Sequence, residues 1–245
     1  SAPAAYYFPM MQRVIAVEVF KGPGTIVFGP NTIGGAINLV TRPIPEAFEG
    51  MVDVSYGNTH YTKAHSYYGG STDKAGFLAE GVLVQSSGFK ELDGGGDTGF
   101  IKSEIAVQGM IRNGRAKKVL HRGDIKLGFT HEISNETYLG LSDEDFEATP
   151  YRRYKASQKD RMDNTRYQAV AGYTFGGEKS DLKIRAYHHG FTRAWNKING
   201  FGGSSAPSLP EILKDPSSGQ RSLYYDILRG VEDSTGASDS IILGR

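Results

Sequence analysis

The chain has 245 residues, the length of one large domain or two modest ones. It contains 32 Gly, 14 Tyr and 12 Phe but no Cys, which excludes a disulfide scaffold, a thiolate metal site and a cysteine nucleophile. Its 28 Lys and Arg against 27 Asp and Glu leave a net charge of +1, so no bulk charge draws it to nucleic acid. No apolar run approaches the ~20 residues of a transmembrane helix. The glycine and aromatic content predicts an all-β protein. A membrane barrel is not excluded by the missing apolar run, because the strands of such a barrel alternate apolar and polar residues.

Residues 13–42 form a compact unit of short elements. Pro43 and Pro45 cannot continue a central strand, so we place a domain boundary near residue 46. In chain order, the pattern predicts a strand, a turn, a second short extended piece and another strand, at 14–19, 21–24, 25–28 and 36–40.

Longer segments with period-2 alternation follow the boundary. The clearest is 101–112, where Ile105 and Val107 alternate with Glu104 and Gln108. No stretch keeps a 3.6-residue period long enough to predict a helix. The pattern predicts seven strands, at 50–56, 60–70, 77–87, 101–112, 125–130, 167–175 and 182–185.

Short and long connections alternate along these strands. The short ones are 71–76, 113–117 and 176–181, and the long ones are 88–99, 132–163 and everything after 196. Antiparallel strands place alternate connections at opposite ends of a sheet, and this asymmetry is typical of outer-membrane barrels rather than of soluble sandwiches or propellers. Seven strands alone would leave unpaired edges in lipid. We therefore expect an all-β fold that forms part of a larger transmembrane antiparallel barrel, in a chain that is a fragment of a longer protein.

Two adjacent segments carry a specific resemblance. Residues 13–24 (RVIAVEVFKGPG) and 28–42 (FGPNTIGGAINLVTR) resemble the end of the plug domain in TonB-dependent outer-membrane receptors. Lys21 stands where that family usually has Arg, and Phe28 where it usually has Tyr; a lysine lacks the bidentate geometry of a guanidinium. Residues 136–141 (ETYLGL) and 150–154 (PYRRY) are similar to the ferric-dicitrate-type branch of the family.

The resemblance implies a barrel of about 22 strands with a plugged lumen. Residues 1–46 would be the C-terminal part of the plug, and 47–245 the N-terminal part of the barrel with its extracellular loops. The N-terminal plug and the TonB box would lie upstream. The motif positions carried over to this chain are Lys21, Gly22, Pro23, Gly29, Pro30, Gly34, Gly35, Asn38 and Arg42.

The function implied is energy-coupled uptake of a ferric chelate, either ferric citrate or a siderophore, across the outer membrane of a Gram-negative bacterium. Iron would be carried as chelated substrate, with no resident cofactor and no catalysis. The expected partners are the chelate, the TonB complex of the inner membrane, outer-membrane lipid and lipopolysaccharide, and not nucleic acid. The alternatives are a receptor for cobalamin, a glycan or a macromolecule, an adhesin that transports nothing, and a soluble carbohydrate-binding protein.

The long connection 132–163 and the start of the next strand carry the candidate ligand site. Residues 150–166 include six basic residues and only two acidic ones, and tyrosines lie between them. Arginine forks suit the carboxylates of an anionic chelate. An equally supported alternative is a loop that contacts lipopolysaccharide phosphates or only solvates the barrel. The candidate ligand-binding residues are Arg152, Arg153, Arg161, Tyr151 and Tyr154.

Other motifs favour plain structural interpretations. The glycine-rich run 22–35 lacks the Lys-Ser/Thr of a phosphate-binding loop. His188 and His189 are adjacent in a strand, so they point to opposite faces and cannot share a metal. The acidic residues of 143–147 indicate a solvated loop rather than a Ca²⁺ site, and no residues are placed for catalysis. Seven aromatic residues near strand ends belong either to interfacial girdles or to the lumen: Tyr56, Tyr67, Tyr68, Phe77, Tyr173, Phe175 and Trp195.

Overall fold

The N-terminal unit contains a small antiparallel sheet. A computed structural model of the chain describes residues 8–28, 34–114, 118–203, 205–231 and 241–244. In it, β1 (Val14–Phe20) pairs with β2 (Ala36–Thr41). Pro23–Phe28 is a 3₁₀ helix, so the predicted extended piece at 25–28 is wrong. The physical reason is the turn before it: Gly22 has φ +81°, and the hydroxyl of Thr25 donates to the Gly22 carbonyl oxygen at 2.8 Å.

An eight-stranded antiparallel sheet makes up most of the chain. Its order is β12-β11-β10-β8-β7-β5-β4-β3, and a separate parallel pair, β6 with β9, joins two long connections. All seven predicted strands are confirmed, while β6, β9 and β12 were not predicted. The bounds are β3 (Glu49–Tyr56), β4 (Thr62–Ser71), β5 (Ala75–Ser86), β6 (Glu91–Leu92), β7 (Phe100–Arg112), β8 (Leu120–Asn135), β9 (Arg152–Arg153), β10 (Arg161–Gly176), β11 (Asp181–Phe201) and β12 (Ile241–Gly244).

The connections confirm the predicted alternation. Short connections lie at one end of the sheet, at 72–74, at 177–180, and between β7 and β8, where 113–114 and 118–119 are described. The connections 87–99 and 136–160, and residues 202–203 and 205–231 after β11, lie at the other end. We call this second end the long-connection end.

Three short helices lie in the long connections, where the sequence pattern predicted none: α1 (Asp143–Ala148), α2 (Leu209–Lys214) and α3 (Arg221–Arg229). They are too short for a 3.6-residue period to stand out, and their ends are fixed by local caps. Ser142 caps α1, Ser208 and Glu211 form a capping box at α2, and α3 ends at Gly230 with φ +75°. No helix in the described ranges is long and apolar enough to cross a membrane.

The register gives the sheet one apolar and one polar face. Glu104 lies opposite Thr130, which lies opposite Arg166, and these three define the polar face. Ile105, Phe129 and Tyr167 lie opposite one another on the other side, and they are 60%, 49% and 49% exposed. We call this side the apolar face. Exposed apolar side chains on one face and buried charges on the other invert the arrangement of a soluble protein.

The aromatic residues singled out in the sequence divide between the two faces. By register, Tyr67 and Trp195 lie on the polar face. The other five lie on the apolar face: Tyr56, Tyr68, Phe77, Tyr173 and Phe175.

Candidate functional site

A cluster of buried charges joins the N-terminal unit to the polar face of the sheet. Arg13 lies between two carboxylates: its Nε donates to Oε2 of Glu80 at 2.7 Å, and its Nη1 donates to Glu104. Nε2 of His65 lies 2.9 Å from the other oxygen of Glu80. Arg166 lies 3.4 Å from Glu104 and donates to Thr130 at 2.8 Å. The two guanidinium groups balance the two carboxylates, as a buried ionic cluster requires.

Backbone groups of residues 8–13 complete this cluster, which we call the buried anchor (Arg13, His65, Glu80, Glu104 and Arg166). The N–H of Met10 donates to Oε2 of Glu104 at 2.7 Å. Nη1 of Arg166 donates to the carbonyl oxygen of Phe8 at 2.6 Å. The first described residues of the chain are therefore held against the sheet by charge-assisted hydrogen bonds.

A second contact holds the other end of the N-terminal unit. Gln108 donates to the carbonyl oxygen of Arg42 at 2.9 Å, and Lys126 donates to the hydroxyl of Thr41 at 2.6 Å. The Arg42 guanidinium lies 3.9 Å from the ring centre of Tyr67. The unit is thus attached to the polar face at both ends.

Sequence reasoning missed the buried anchor because its members are distant in the chain. One signal was available: Glu80 shares the polar face with Leu78 and Val82, both buried. A single carboxylate between apolar neighbours on one face indicates a buried partner, although not which one.

The predicted motif residues lie mainly in and around the β1–β2 sheet. Lys21 is exposed just after β1, and the amide of Asn38 in β2 donates to Glu18 at 2.8 Å. Gly35 has φ +132°, and a Cβ there would lie 2.9 Å from the carbonyl oxygen of Phe20, so the close approach of the strands requires glycine. Gly22 lies in the turn before the 3₁₀ helix, Pro23 is the first residue of that helix, and Gly34 is exposed before β2. Gly29 and Pro30 lie outside the described residues.

The long connections pack into one structure at their end of the sheet. We call it the loop assembly, and it comprises residues 88–99, 136–160, 198–203 and 205–231. The parallel pairing of β6 with β9 joins the first two parts. A hydrophobic core joins the last two, formed by Leu139, Tyr154, Ile198, Ile212, Tyr224 and Leu228.

Asp145 is the central acceptor of the loop assembly. The hydroxyls of Tyr154 and Tyr225 both donate to its Oδ2, the first at 2.7 Å, and Arg152 donates to its Oδ1 at 3.0 Å. Burial alone would raise the pKa of the Asp145 carboxyl, but the two tyrosine hydrogen bonds and the charge of Arg152 hold it below its ordinary value. The solvated-loop interpretation therefore does not hold for Asp145, whereas Glu144 and Glu147 are exposed.

Two of the five predicted ligand residues have their polar groups bound to acidic side chains of the loop assembly. Tyr154 is 1% exposed, and burial raises the pKa of its hydroxyl. Arg152 is bound to Asp93 on one side, with Nε–Oδ distances of 3.0 Å, and to Asp145 on the other. Both side chains hold the loops together.

The other three predicted residues are more accessible. Tyr151 is 56% exposed and packs edge-on against Phe89. Arg153 is partly exposed and donates to the carbonyl oxygen of Pro150 at 2.9 Å. Arg161 is exposed at the start of β10.

Comparisons with known proteins find that part of the chain is similar to two bacterial proteins. The chain is 35% identical over 78 residues to the vitamin B12 transporter BtuB of Vibrio vulnificus (strain CMCP6), which covers 32% of the chain and 12% of that protein. It is 35% identical over 49 residues to the iron-regulated outer membrane virulence protein of Vibrio cholerae, which covers 20% of the chain and 8% of that protein. The matches thus span only a small part of these relatives. No protein-family model and no solved structure matches the chain.

These similarities bear on location and general class. The relatives are an outer-membrane protein and a transporter, and neither is named as an enzyme. The chain is an outer-membrane protein of a Gram-negative bacterium, similar over part of its length to outer-membrane receptors and transporters.

Proposed function

We propose that the chain is part of a TonB-dependent outer-membrane transporter that takes up a ferric chelate. In this proposal residues 8–46 belong to the C-terminal part of the plug, and the eight-stranded sheet is part of the barrel wall. The observation that carries it is the inverted sheet: the N-terminal unit is bound to a polar face by the buried anchor, while the opposite face is apolar and exposed. This is the arrangement expected of a wall with lipid outside and a globular insert inside.

The open sheet supports a larger barrel. Within the described residues β3 and β12 are edge strands of the sheet. Edge strands in lipid leave backbone N–H and C=O groups unsatisfied, and closure with further strands removes that cost. The long-connection end would then face the cell exterior, since outer-membrane barrels carry their long loops there.

A ferric chelate is the cargo that the iron-regulated relative and the cationic loop favour together. The other relative is named as a vitamin B12 transporter. In the proposal Arg153, Arg161 and Tyr151 face the ligand, while Arg152 and Tyr154 hold the loop in position. Ferric citrate and siderophores both remain within this proposal.

The test is uptake of radiolabelled iron by a strain that lacks the full-length receptor and carries it back on a plasmid. We expect ferric chelate uptake that depends on the receptor and stops with a proton uncoupler, because TonB coupling uses the inner-membrane proton gradient. Joint replacement of Arg152, Arg153 and Arg161 by Ala should raise the half-saturating chelate concentration at least tenfold. The matched control replaces three cations at the opposite end of the sheet: Lys118→Ala, Lys179→Ala and Arg185→Ala. Uptake that needs neither the receptor nor the gradient would overturn the proposal.

Cobalamin is the second candidate cargo, and the longer of the two similarities favours it. The same strains, supplied with radiolabelled cyanocobalamin, separate the two. Receptor-dependent uptake of cobalamin without uptake of any ferric chelate would replace the first proposal with the second.

A further inference from the structure

A groove lies on the apolar face, near the end of the sheet that carries the short connections. Its volume is about 670 Å³, within the ~300–1,000 Å³ of typical ligand sites. Phe77 lies opposite Gly109, which lies opposite Ile125, and this register places all three on the apolar face. The main side of the groove is lined by Ala75, Phe77, Gly109, Ile111, Gly123 and Ile125.

Two glycines deepen this groove, although the strands themselves do not require them. Neither Gly109 nor Gly123 has a positive φ, and the β7–β8 ladder runs through both without a bulge. A Cβ at Gly109 would lie 3.6 Å from Ile125, and one at Gly123 would lie 3.6 Å from Ile111, which are ordinary contacts. Glycine weakens the interior of a strand, and without a bulge or bend it marks a close approach by another molecule.

The groove reaches the backbone of the sheet. By register the side chains of Met110 and Asp124 lie on the polar face, and both residues nevertheless line the groove. Their backbone is left uncovered where Gly109 and Gly123 lack side chains. The groove is therefore narrow and deep rather than a flat part of the apolar face.

Aromatic clusters flank the groove on both sides. In the first, ring centroids are 6.0–6.4 Å apart, and its members are Phe48, Tyr68 and Phe77. In the second, Nδ1 of His121 lies 2.7 Å from the hydroxyl of Tyr173, and the His121 ring packs edge-on against Phe175. Aromatic girdles of outer-membrane barrels lie at the membrane interface, and short turns lie on the periplasmic side. In the proposed barrel the groove therefore lies at the boundary between acyl chains and headgroups of the inner leaflet.

The end of the sheet beside the groove carries an excess of positive charge. Eight Lys and Arg against five Asp and Glu, an excess of three, lie in the segments that form this end: residues 42–49, 72–74, 112–119 and 177–183. Lys74 directly precedes Ala75 of the groove and is exposed. Lys118 is exposed as well, and its 3.9 Å pair with Glu178 lies in solvent, where such pairs contribute little. The excess favours an anionic headgroup next to the groove.

We propose that this groove binds an acyl chain of an anionic phospholipid of the inner leaflet, with the phosphate toward the cationic end of the sheet. The inference rests on the proposed barrel wall but not on its cargo. A flat protein surface would rest on the two aromatic clusters without reaching Gly109 and Gly123. A single flexible acyl chain fits between the clusters.

The experiment is native mass spectrometry of the purified, delipidated full-length receptor in detergent. The probes are palmitoyl-oleoyl phosphatidylglycerol and phosphatidylethanolamine with the same chains, each titrated alone. The groove variant is Gly109→Val with Gly123→Val, and the headgroup variant is Lys74→Gln with Lys118→Gln. The control is Gly81→Val, because Gly81 lies on the same apolar face outside the groove and has nothing within 4 Å of its Cβ position.

We expect the wild type to bind phosphatidylglycerol more tightly than phosphatidylethanolamine. The groove variant should bind both lipids at least fivefold more weakly, because the chains are the same. The headgroup variant should lose at least threefold for phosphatidylglycerol and less than twofold for phosphatidylethanolamine, and the control should stay within twofold for both. If the double groove variant does not fold, Gly109→Val and Gly123→Val alone should each lose at least threefold.

Three results would contradict the inference. The groove variant binds both lipids like the wild type, the control weakens binding as much as the groove variant does, or the wild type is a dimer that the groove variant abolishes. The last result would assign the groove to a second copy of the chain. Iron uptake by cells that carry the groove variant should stay within twofold of the wild type, so a failure of this inference leaves uptake intact. Loss of uptake in every strain would instead contradict the proposed function and would leave the lipid titration unchanged.

Discussion

Arg13 and Glu80 form an ion pair whose side chains are 0% and 1% exposed, with Nε 2.7 Å from Oε2. The two residues come from different parts of the fold, one from the N-terminal unit and the other from β5. The same guanidinium pairs with Glu104, so one cation is shared by two buried carboxylates. Removal of one member of a buried ion pair leaves an uncompensated charge, which is far more costly than the net value of the pair.

Arg13→Met should therefore destabilise the full-length protein by about 3–5 kcal/mol. Chemical unfolding in detergent measures this, and limited proteolysis near residues 8–13 should become faster as the segment detaches. Arg185→Met is the matched control, because Arg185 is 62% exposed and its pair with Asp124 should contribute at most about 1 kcal/mol. Equal effects of the two substitutions would show that Arg13 has no anchoring role.

Asp145→Asn should loosen the loop assembly. The amide offers one acceptor oxygen where the carboxylate receives two tyrosine hydroxyls on one oxygen and Arg152 on the other, so at least one donor loses its partner. We expect a local loss of about 1–3 kcal/mol, measured by hydrogen exchange of α3 amides. Glu147→Gln, on the exposed side of the same helix, should leave that exchange unchanged.

The stability of the loop assembly should also depend on pH through Asp145. Its pKa is lower in the folded assembly than the ~3.9 of an unfolded Asp. Its stabilising contribution is therefore complete above that unfolded value, and it is lost as the pH falls through the folded pKa. The groups that face the carboxyl are Tyr154, Tyr225, Arg152 and the more distant Arg229, and none of them is a carboxyl or an imidazole.

Hydrogen exchange of α3, corrected for intrinsic rates, should rise as the pH falls below about 4. In Asp145→Asn this dependence should be absent. Asp160 provides an internal contrast, because burial raises its pKa, so its protonation favours the folded assembly as the pH falls. If hydrogen exchange of α3 in the Asp145→Asn variant rises as much at low pH as in the wild type, other carboxyls cause the pH dependence.

The seven strands and their alternating connections could be predicted because they are local properties. In 101–112 the alternation along the strand assigns each residue to one face of the sheet, as it does for Glu104 and Ile105. The turns are marked by glycine and polar residues. The register then follows from which face is apolar. Nothing beyond residue identity and spacing is needed for that part of the fold.

The site could not be predicted because its members meet through the fold. Tyr225 reaches Asp145 across 80 residues, and Arg13 reaches Glu104 across 91. The cluster of basic residues predicted that Arg152 binds a ligand. The sequence does not show that Asp93 lies beside Arg152 and already occupies its guanidinium. Short helices such as α3 depend on packing against the loop core, and their period is too brief to register in a sequence window.

The apolar face offers the sharpest test of membrane insertion. Ile105 lies near the middle of β7 and is 60% exposed. At an exposed position of a soluble sheet Ile105→Arg would cost little, whereas at the middle of a lipid-facing strand an arginine costs about 2–4 kcal/mol. We expect Ile105→Arg to lower the folded fraction of the full-length protein in lipid vesicles, read by heat-modifiable gel mobility.

Tyr187→Arg is the matched control, because Tyr187 is 77% exposed but lies on the polar face of β11. It should fold into vesicles like the wild type, since its side chain points away from lipid. The comparison depends only on which face carries the charge, because both sites are exposed. If both variants fold equally well, the apolar face does not contact lipid; if only Tyr187→Arg fails, the two faces are assigned the wrong way round.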